Sequence, residues 1–259
     1  MATLKRDDGV ELYFEVHGPE SEAAPTLLLT HGYSATSHMW RGQVEPLSKA
    51  HRLVIWDMRG HGRSDSPDDP ALYSEPATVA DMAALLDHVG AETAIVGGLS
   101  LGGYMSLAFH RVHPARVKAL LIIDTGPGYK NDEARAGWNR TSLKTAERYE
   151  TEGLGVLASG SPERRQARHR SAQGLALAAR GMLTQRDAGV ITSLPHIRAP
   201  SLVVVGAEDA PFLAASDYMA SKIPGAKMAV IDGAGHAVNI DRPEAFNAAI
   251  LDFLGGLGR

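Results

Sequence analysis

Residues 93–102 read TAIVGGLSLG, an apolar run that leads to a serine with Gly98 and Gly102 two positions on either side of it. The run Thr93–Val96 is typical of a buried strand, and the residues from Leu101 onward are typical of a helix. Glycines at these positions leave room for a sharp strand-to-helix turn that lifts the serine above the edge of a sheet. Because such a pattern arises by chance in about one of five chains of this composition, its support must come from the rest of the sequence.

Six further apolar runs resemble strands, and most are almost continuously hydrophobic, as in parallel strands that helices cover on both faces. They are Glu11–Val16, Thr26–Thr30, Leu53–Trp56, Val117–Ile123, Leu202–Val205 and Met228–Ile231. Helical patterns lie between them, the clearest over Thr78–Val89 behind a threonine N-cap, and others follow Leu101 and Pro243. This alternation predicts an α/β fold with a mostly parallel sheet flanked by helices, whose ligand sites lie beyond the carboxyl ends of the strands.

The alternation stops between Gly126 and Pro200, where only helix-compatible segments occur. An insertion that leaves one strand end and returns to the next strand is expected to cover the active face. We therefore predict a core formed by residues 1–125 and 201–259 and a helical lid formed by residues 126–200. The lid carries a net charge of +5, from 12 Lys and Arg against 7 Asp and Glu, whereas the remainder carries −9. A solvated arginine-rich surface is the simplest explanation, and attraction of anionic substrates is the alternative.

The composition excludes several classes of protein. With 259 residues, 44% of them apolar, the chain can bury the core of one large domain. A net charge of −4 provides no basic field for nucleic acid, and no apolar run approaches the roughly 20 residues that span a bilayer. The absence of cysteine excludes disulfides and thiol catalysis. The N-terminal residues lack the apolar block of a secretory signal, so we expect a cytoplasmic protein. We further expect a monomer or weak homo-oligomer whose partner is a small molecule.

Ser100, the serine of the opening stretch, needs a base and an acid, because a serine hydroxyl is a weak nucleophile at neutral pH. Both residue types follow later strands. Asp209 comes after the strand Leu202–Val205, and His236 comes after the strand Met228–Ile231. Serine, acid and histidine in this order, each at the carboxyl end of a strand, predict a catalytic triad.

Together with two further motifs, these residues make the chain similar to the α/β-hydrolase superfamily. The motifs are Thr30-His31-Gly32-Tyr33 and Asp57-Met58-Arg59-Gly60-His61-Gly62-Arg63-Ser64. The chain resembles in particular the small capped serine hydrolases, which include bacterial carboxylesterases, lactonases, cofactor-free perhydrolases and carbon–carbon bond hydrolases. The resemblance covers nearly the whole chain and implies a lid inserted after the sixth strand of the family's sheet. It also implies an oxyanion hole formed by the backbone N–H groups of Tyr33 and Leu101.

The acid of the triad has competitors. Asp209, three residues after Gly206, matches the position of the acid in the superfamily, and we expect it to be the acid. Glu208 lies beside it in the sequence. Asp124 ends the strand Val117–Ile123, where some members of this fold place the acid.

Other polar residues near the predicted site are expected to support it. We expect His31 to hold the oxyanion turn by a hydrogen bond, and Asp57, Arg59 and His61 to form a network within the next turn. The chain has eleven histidines but no His-Glu-x-x-His or comparable ligand spacing, and no glycine-rich phosphate loop. We therefore expect neither a metal ion nor a cofactor.

The predicted reaction is the hydrolysis of carboxylic esters through an acyl-enzyme formed on Ser100, with Trp138 and Met182 of the lid contacting the substrate. Enol-lactonase, cofactor-free perhydrolase and carbon–carbon bond hydrolase are alternatives, because the same triad could serve all three. A serine at this turn disfavours the dehalogenases and epoxide hydrolases that use an aspartyl nucleophile. Outside enzymes, the alternative is a ligand sensor that retains the triad.

Overall fold

One eight-stranded sheet organises the chain, which a computed structural model describes over residues 2–20 and 24–257. The strands are β1 (Ala2–Lys5), β2 (Glu11–His17), β3 (Thr26–Thr30), β4 (Arg52–Trp56), β5 (Ala94–Leu99), β6 (Val117–Ile123), β7 (Ser201–Gly206) and β8 (Lys227–Ile231). Seven of them were predicted. Strand β1 was missed because it is short and largely exposed at the sheet edge, so its residues have no apolar run.

The strand order explains where a ligand site forms. The order is β1-β2-β4-β3-β5-β6-β7-β8, with β2 antiparallel to both of its neighbours and every other pair parallel. This confirms the predicted α/β fold with a mostly parallel sheet. From β3 the chain moves outward to β4 and then returns past β3 to β5, so the order reverses between β3 and β5. The loops that follow these two strands meet at the crevice where folds of this type bind ligands.

Ten α-helices occur within the described residues, and those predicted after Leu101 and Pro243 are confirmed. They are α1 (Arg41–Ser48), α2 (Glu75–His88), α3 (Leu101–Val112), α4 (Asp132–Glu152), α5 (Pro162–Arg165), α6 (Ala172–Ala178), α7 (Gly189–Ser193), α8 (Ala210–Lys222), α9 (Val238–Asp241) and α10 (Pro243–Gly256). One turn of π-helix, Ala179–Leu183, continues α6. Over residues 2–20 and 24–257, no helix has both the length and the hydrophobicity needed to cross a membrane.

The helix predicted over Thr78–Val89 begins earlier, at Glu75, and its predicted threonine N-cap is wrong. Ser74 is the N-cap, and its hydroxyl oxygen accepts a backbone N–H of the first turn at 3.1 Å. Pro76 fits this first turn because the N–H that it lacks would have no helical acceptor there. Thr78 lies inside the helix, where its hydroxyl donates to the Ser74 carbonyl at 2.9 Å.

Helices cover both faces of the sheet, because successive side chains of a strand point to opposite faces. In β5, Val96 belongs to a core that includes side chains of α2, α3 and α8. Its neighbour Ile95 belongs to a second core that includes side chains of α10. Burial of both faces accounts for the almost continuous apolar runs of the central strands.

Residues 126–200 connect β6 to β7 through α4–α7 and contain no strand. Tyr149, Leu157, Leu175 and neighbouring residues of this segment form a small hydrophobic cluster of their own. Tyr33, which follows β3, packs against this cluster, and its hydroxyl donates to the carbonyl of Leu175 at 2.8 Å. The segment thus contacts the loop after β3, while its action as a lid stays a prediction.

Candidate active site

Ser100 occupies the sharp turn between β5 and α3. Its backbone angles, φ 55° and ψ −117°, are unusual for a residue with a side chain. Two hydrogen bonds hold this conformation: the Ser100 N–H donates to the carbonyl of Ile123 at 2.9 Å, and the Thr125 hydroxyl donates to the Ser100 carbonyl at 2.7 Å. A strained serine persists only where the surrounding structure holds it, and such positions concentrate at functional sites.

The glycines around Ser100 allow β3 to approach the turn very closely. A Cβ atom at Gly98 would lie 2.5 Å from the carbonyl oxygen of Thr30, and one at Gly102 would lie 2.1 Å from the same oxygen. Side chains therefore do not fit at either position. The approach brings the loop after β3 against the serine, since a Cβ atom at Gly32 would lie 3.4 Å from Cβ of Ser100.

Two backbone N–H groups near Ser100 are available to bind an anion. Among the described residues, the N–H of Tyr33 donates no hydrogen bond. Leu101 is the first residue of α3, so its N–H has no acceptor within the helix. The positive end of the α3 dipole also attracts an anion at this place. These are the two amides that the resemblance implies for an oxyanion hole.

His31 holds the loop that carries Tyr33. Its Nδ1 donates to the carbonyl of Gly32 at 2.7 Å, and its Nε2 accepts the backbone N–H of Met58 at 2.9 Å. Burial lowers the pKa of His31, so the ring stays neutral. Because both ring nitrogens are engaged with backbone groups, the structure favours the supporting role expected for this residue.

His236 and Asp209 form a pair at the ends of β8 and β7. Nδ1 of His236 donates to Oδ2 of Asp209 at 2.8 Å, which leaves Nε2 free to accept a proton. The ring of Phe212 stacks on the imidazole with centroids 5.0 Å apart. In the described part of the chain, no hydrogen bond joins His236 to the Ser100 hydroxyl. Such bonds often tighten only when a substrate is bound.

The environment of His236 makes it a stronger base. Burial lowers its pKa, but the hydrogen bond and negative charge of Asp209 raise it, with smaller contributions from Asp124 and Glu163. The net pKa lies above the ordinary value of 6.5. A raised pKa favours proton transfer from a serine hydroxyl, although it also requires a higher pH to keep the ring neutral.

Asp124, the competing acid, hydrogen-bonds the loops of the triad instead of the imidazole. Its Oδ1 accepts the N–H of Gly206 at 2.9 Å, and its Oδ2 accepts the N–H of Val238 at 3.4 Å. Burial raises the pKa of Asp124 to about 8. The other competitor, Glu208, is exposed. The geometry therefore favours Asp209 as the acid. Asp124 instead holds two loops, the one that precedes Asp209 and the one that follows His236.

The turn after β4 is held by hydrogen bonds of two of the residues expected to support it, Asp57 and Arg59. Oδ1 of Asp57 accepts the N–H of Ser37 at 2.7 Å, and Oδ2 accepts the N–H of Arg63 at 2.9 Å. Arg59 makes two hydrogen bonds to Asp81, at 2.5 and 2.7 Å. These side chains stabilise the turn, and none of them lines the space next to Ser100.

Three histidines connect this turn to residues 126–200, and we name His31, His61 and His169 the histidine cluster. His169 accepts the N–H of Gly62 through Nδ1 and donates to the carbonyl of Ser34 through Nε2, both at 3.0 Å. The His61 ring centroid lies 5.0 Å from that of His31 and 5.8 Å from that of His169. Burial lowers the pKa of His61 and lowers that of His169 to about 4. Residues 2–20 and 24–257 contain no group of three or more His, Asp or Glu side chains arranged to hold a metal ion.

A cavity of about 110 Å³ opens at Ser100. Side chains from the β6–α4 loop, from α4 and from α8 line it, and most of them are apolar. Trp138, predicted to contact substrate, is part of the lining, and its indole N–H donates to the carbonyl of Leu183 at 2.8 Å. Met182, the other predicted contact, is only 1% exposed and lies in the hydrophobic core. No charged side chain occurs among the described residues that line the cavity.

The family model of the alpha/beta hydrolase family matches residues 27–249. The chain belongs to this family. A thermophilic esterase from Thermogutta terrifontis is 30% identical, with a TM-score of 0.85 over 99% of this chain and 98% of that one. The enol-lactonase from Burkholderia xenovorans is 26% identical, with a TM-score of 0.84 over 98% of this chain and 100% of that one. A protein of Rhizobium rhizogenes, provisionally named carbamate hydrolase RutD, is 30% identical over 94% of this chain and 97% of its own length.

Several residues of this hydrolase that shape the site were missed by sequence reasoning. Thr125 holds the backbone of the serine, Phe212 stacks on the histidine, and His169 joins residues 126–200 to the loops of the core. Gln185 lines the cavity. The sequence carries no signal for these roles, because each depends on contacts between segments that are distant in the chain.

Proposed function

We propose that this hydrolase cleaves small, uncharged carboxylic esters through an acyl-enzyme formed on Ser100. The observation that carries the proposal is the cavity at Ser100, whose described lining is uncharged and mostly apolar. Phe212 lines this cavity and also stacks on His236, so the imidazole packs against a residue of the cavity wall. We expect an ester carbonyl in this cavity to lie beside the Ser100 hydroxyl.

In the first half of the reaction, the Ser100 hydroxyl oxygen attacks the ester carbonyl carbon while Nε2 of His236 takes the hydroxyl proton. Asp209 stabilises the imidazolium that forms. The negative oxygen of the tetrahedral intermediate accepts hydrogen bonds from the N–H groups of Tyr33 and Leu101, and such donors are commonly worth about 3 kcal/mol each. When the intermediate collapses, the bond to the alcohol oxygen breaks, and His236 donates its proton to that oxygen.

In the second half, water attacks the acyl carbon and His236 takes one of its protons. A second tetrahedral intermediate forms in the same oxyanion site. Its collapse breaks the bond to Ser100, whose oxygen recovers the proton from His236, and the carboxylic acid leaves. No cofactor takes part in either half of the proposed reaction.

The electrostatics of the cavity support an uncharged substrate. A carboxylate on the substrate would lie in a mostly apolar space with no cationic side chain among the described lining residues, which is unfavourable. The carboxylate of Glu75 stands behind the wall, where it accepts the Tyr104 hydroxyl at 2.9 Å. Arg111 pairs with this carboxylate at 3.3 Å, so the pair adds no net positive charge that would attract an anion. This supports neutral esters over carboxylate-bearing lactones.

The size of the cavity supports a short ester. Its volume of about 110 Å³ is below the roughly 150 Å³ of an engineered protein cavity that binds benzene. We therefore expect the acyl or alcohol group that enters it to contain about four to six non-hydrogen atoms.

Labelling with a fluorophosphonate, followed by mass spectrometry, tests the nucleophile. We expect the label on Ser100, and we expect Ser100→Ala and His236→Ala to lower ester turnover by about 10⁴-fold or more. Ser221→Ala and His196→Ala change exposed residues of the same types and should retain full activity. Unchanged turnover in either of the first two variants would refute the assignment.

A substrate panel tests the reaction. It should include esters of increasing acyl length, a lactone, a thioester, a carbamate, and hydrogen peroxide as an alternative acceptor. Rapid multiple turnovers on short esters are expected. A single slow cleavage with retained product would indicate the ligand sensor, and turnover confined to another class of the panel would reassign the substrate.

A further inference from the structure

The polar side chains that line the cavity at Ser100 are mostly engaged in holding its wall. The Tyr104 hydroxyl donates to Glu75 at 2.9 Å, and the indole N–H of Trp138 donates to a backbone carbonyl at 2.8 Å. The Thr125 hydroxyl donates to the backbone carbonyl of Ser100 at 2.7 Å. The hydrogen-bonding groups of these side chains therefore serve to hold the fold.

Gln185 differs from these residues. It is only 8% exposed, yet its side-chain amide makes no hydrogen bond to any residue that the structure describes. Its Oε1 is fully enclosed, whereas its Nε2 is not. Tyr129, another polar residue of the lining, is 38% exposed, so water can reach it.

The position of Gln185 is well defined. The side chain of Asn139 donates to the Gln185 carbonyl at 2.9 Å and accepts the Gln185 N–H at 2.8 Å. Gly128, with φ +89°, leaves space for the amide, since a Cβ atom at this glycine would lie 3.0 Å from Oε1. The backbone of Gln185 is thus fixed beside the cavity while its amide has no partner.

A buried amide without hydrogen bonds destabilises a protein, and an apolar side chain of similar shape would avoid that cost. Packing alone therefore does not account for a glutamine at this position. We propose that Gln185 is a specificity-determining residue whose Nε2 donates a hydrogen bond to a second, neutral oxygen of the ester substrate. This oxygen belongs to the acyl or alcohol group that occupies the cavity. The inference rests on the proposed ester hydrolysis.

The surrounding charges select the kind of oxygen. Nε2 is a donor, so its partner must be an acceptor. The carboxylates of Glu75 and Asp187 both lie close enough to Tyr104 to help burial raise the pKa of its hydroxyl. Arg111 on this side is already ion-paired with Glu75 at 3.3 Å, so an ether, hydroxyl or keto oxygen fits the cavity better than a carboxylate.

Two pairs of esters that match in shape test the proposal. In one pair, a methoxyacetate is compared with the butyrate of the same alcohol. In the other, 2-methoxyethyl acetate is compared with butyl acetate. For each pair, the ratio of kcat/KM is divided by the ratio of the rates of hydroxide-catalysed hydrolysis, which removes the intrinsic difference in reactivity. The wild-type protein should prefer the oxygen-containing member of at least one pair by about tenfold.

Two variants assign that preference to the amide. Gln185→Met removes the donor at similar length, and Gln185→Glu keeps the shape but replaces the donor with an acceptor. In both variants, the normalised ratio of kcat/KM should fall to about 1, which means that neither member of a pair is preferred. Gln173→Met, at an exposed position of α6, should keep the wild-type preference. Because Met removes an unsatisfied buried amide, the melting temperature of Gln185→Met should equal or exceed that of the wild type.

The outcomes separate this inference from the proposed function. A wild-type protein that hydrolyses both members of both pairs without a preference overturns the role of Gln185 and leaves ester hydrolysis intact. A preference that survives in Gln185→Met and Gln185→Glu overturns it as well. If Gln185→Met does not fold, the role of Gln185 is tested by the wild-type preference and by whether that preference is lost in Gln185→Glu. A wild-type protein that hydrolyses no ester refutes the proposed function itself.

Discussion

Nδ1 of His236 lies 2.8 Å from Oδ2 of Asp209, so the carboxylate that orients the imidazole is the one that follows β7. Asp209→Asn should lower kcat by about 10³- to 10⁴-fold, because an asparagine amide favours the wrong tautomer of the ring and cannot stabilise the imidazolium. Asp124→Asn should lower kcat by less than about tenfold, since it keeps an acceptor for the N–H of Gly206. Steady-state kinetics on one short ester would measure both effects.

Circular dichroism of both variants provides the control, because each must retain the fold for the comparison to count. If Asp124→Asn lost more activity than Asp209→Asn, the acid would have to be reassigned to the strand end after β6.

The activity should depend on pH through His236. The base must be neutral in the free enzyme, and its pKa lies above 6.5 because Asp209 more than offsets the effect of burial. Lowering the pH through that raised pKa should therefore reduce kcat/KM, with a midpoint above 6.5. In Asp209→Asn, the midpoint of the residual activity should move to lower pH, since the residue that most strongly opposes the effect of burial on the His236 pKa has lost its charge.

A pH profile of kcat/KM on an ester without ionisable groups would measure both midpoints. A midpoint below 6.5 in the wild-type protein, or one that moves upward in Asp209→Asn, would contradict this account of His236.

The histidine cluster should make the protein sensitive to acid. Burial lowers the pKa of His169 to about 4 in the folded protein, below the ordinary value of 6.5. As the pH falls from 6.5 towards 4, the unfolded chain binds the proton first, so stability that is fully present above pH 6.5 is progressively lost. His169→Gln can keep both hydrogen bonds without titrating, and its melting temperature should fall less over this range.

Melting curves at several values between pH 6.5 and 4.5 would test this prediction. His196→Gln, which changes an exposed histidine, should follow the wild-type profile. Parallel profiles of the wild type and His169→Gln would show that acid acts elsewhere in the protein.

The close approach of β3 to the turn at Ser100 should leave no room for a side chain at Gly102. A Cβ atom at Gly102 would lie 2.1 Å from the Thr30 carbonyl oxygen and 2.7 Å from that of His31. Gly102→Ala should therefore lower the melting temperature and displace the loop after β3, with a large loss of kcat. Gly255→Ala is the matched control: a Cβ there meets nothing within 4 Å, and alanine is the better helix former by about 0.5–1 kcal/mol. Equal stability of the two variants would contradict the role of the close approach.

Much of the fold was visible in local sequence. Strands that are buried on both faces appear as apolar runs, and seven of the eight described strands were predicted from such runs. The two elements that were missed or misplaced also have local explanations. Strand β1 is mostly exposed and therefore has no hydrophobic signature. Helix α2 begins at Glu75 because the hydroxyl of its N-cap, Ser74, accepts an N–H of the first turn.

The sequence by itself predicted the residues of the proposed reaction centre. Ser100, Asp209 and His236 each follow a strand, and parallel strands place their carboxyl ends at one edge of a sheet, so proximity in space follows from position in the chain. The glycines around Ser100 likewise indicated a tight turn, because a local backbone path requires them.

The tertiary structure alone decided the remaining features. It decided that Asp209 contacts the imidazole while Asp124 binds the backbone of the neighbouring loops, and that Gln185 lines the cavity with an unpartnered amide. The physical reason is that hydrogen-bond partners and cavity walls arise from packing between distant segments. Motifs and hydrophobic periods report only on each residue's neighbours in the chain.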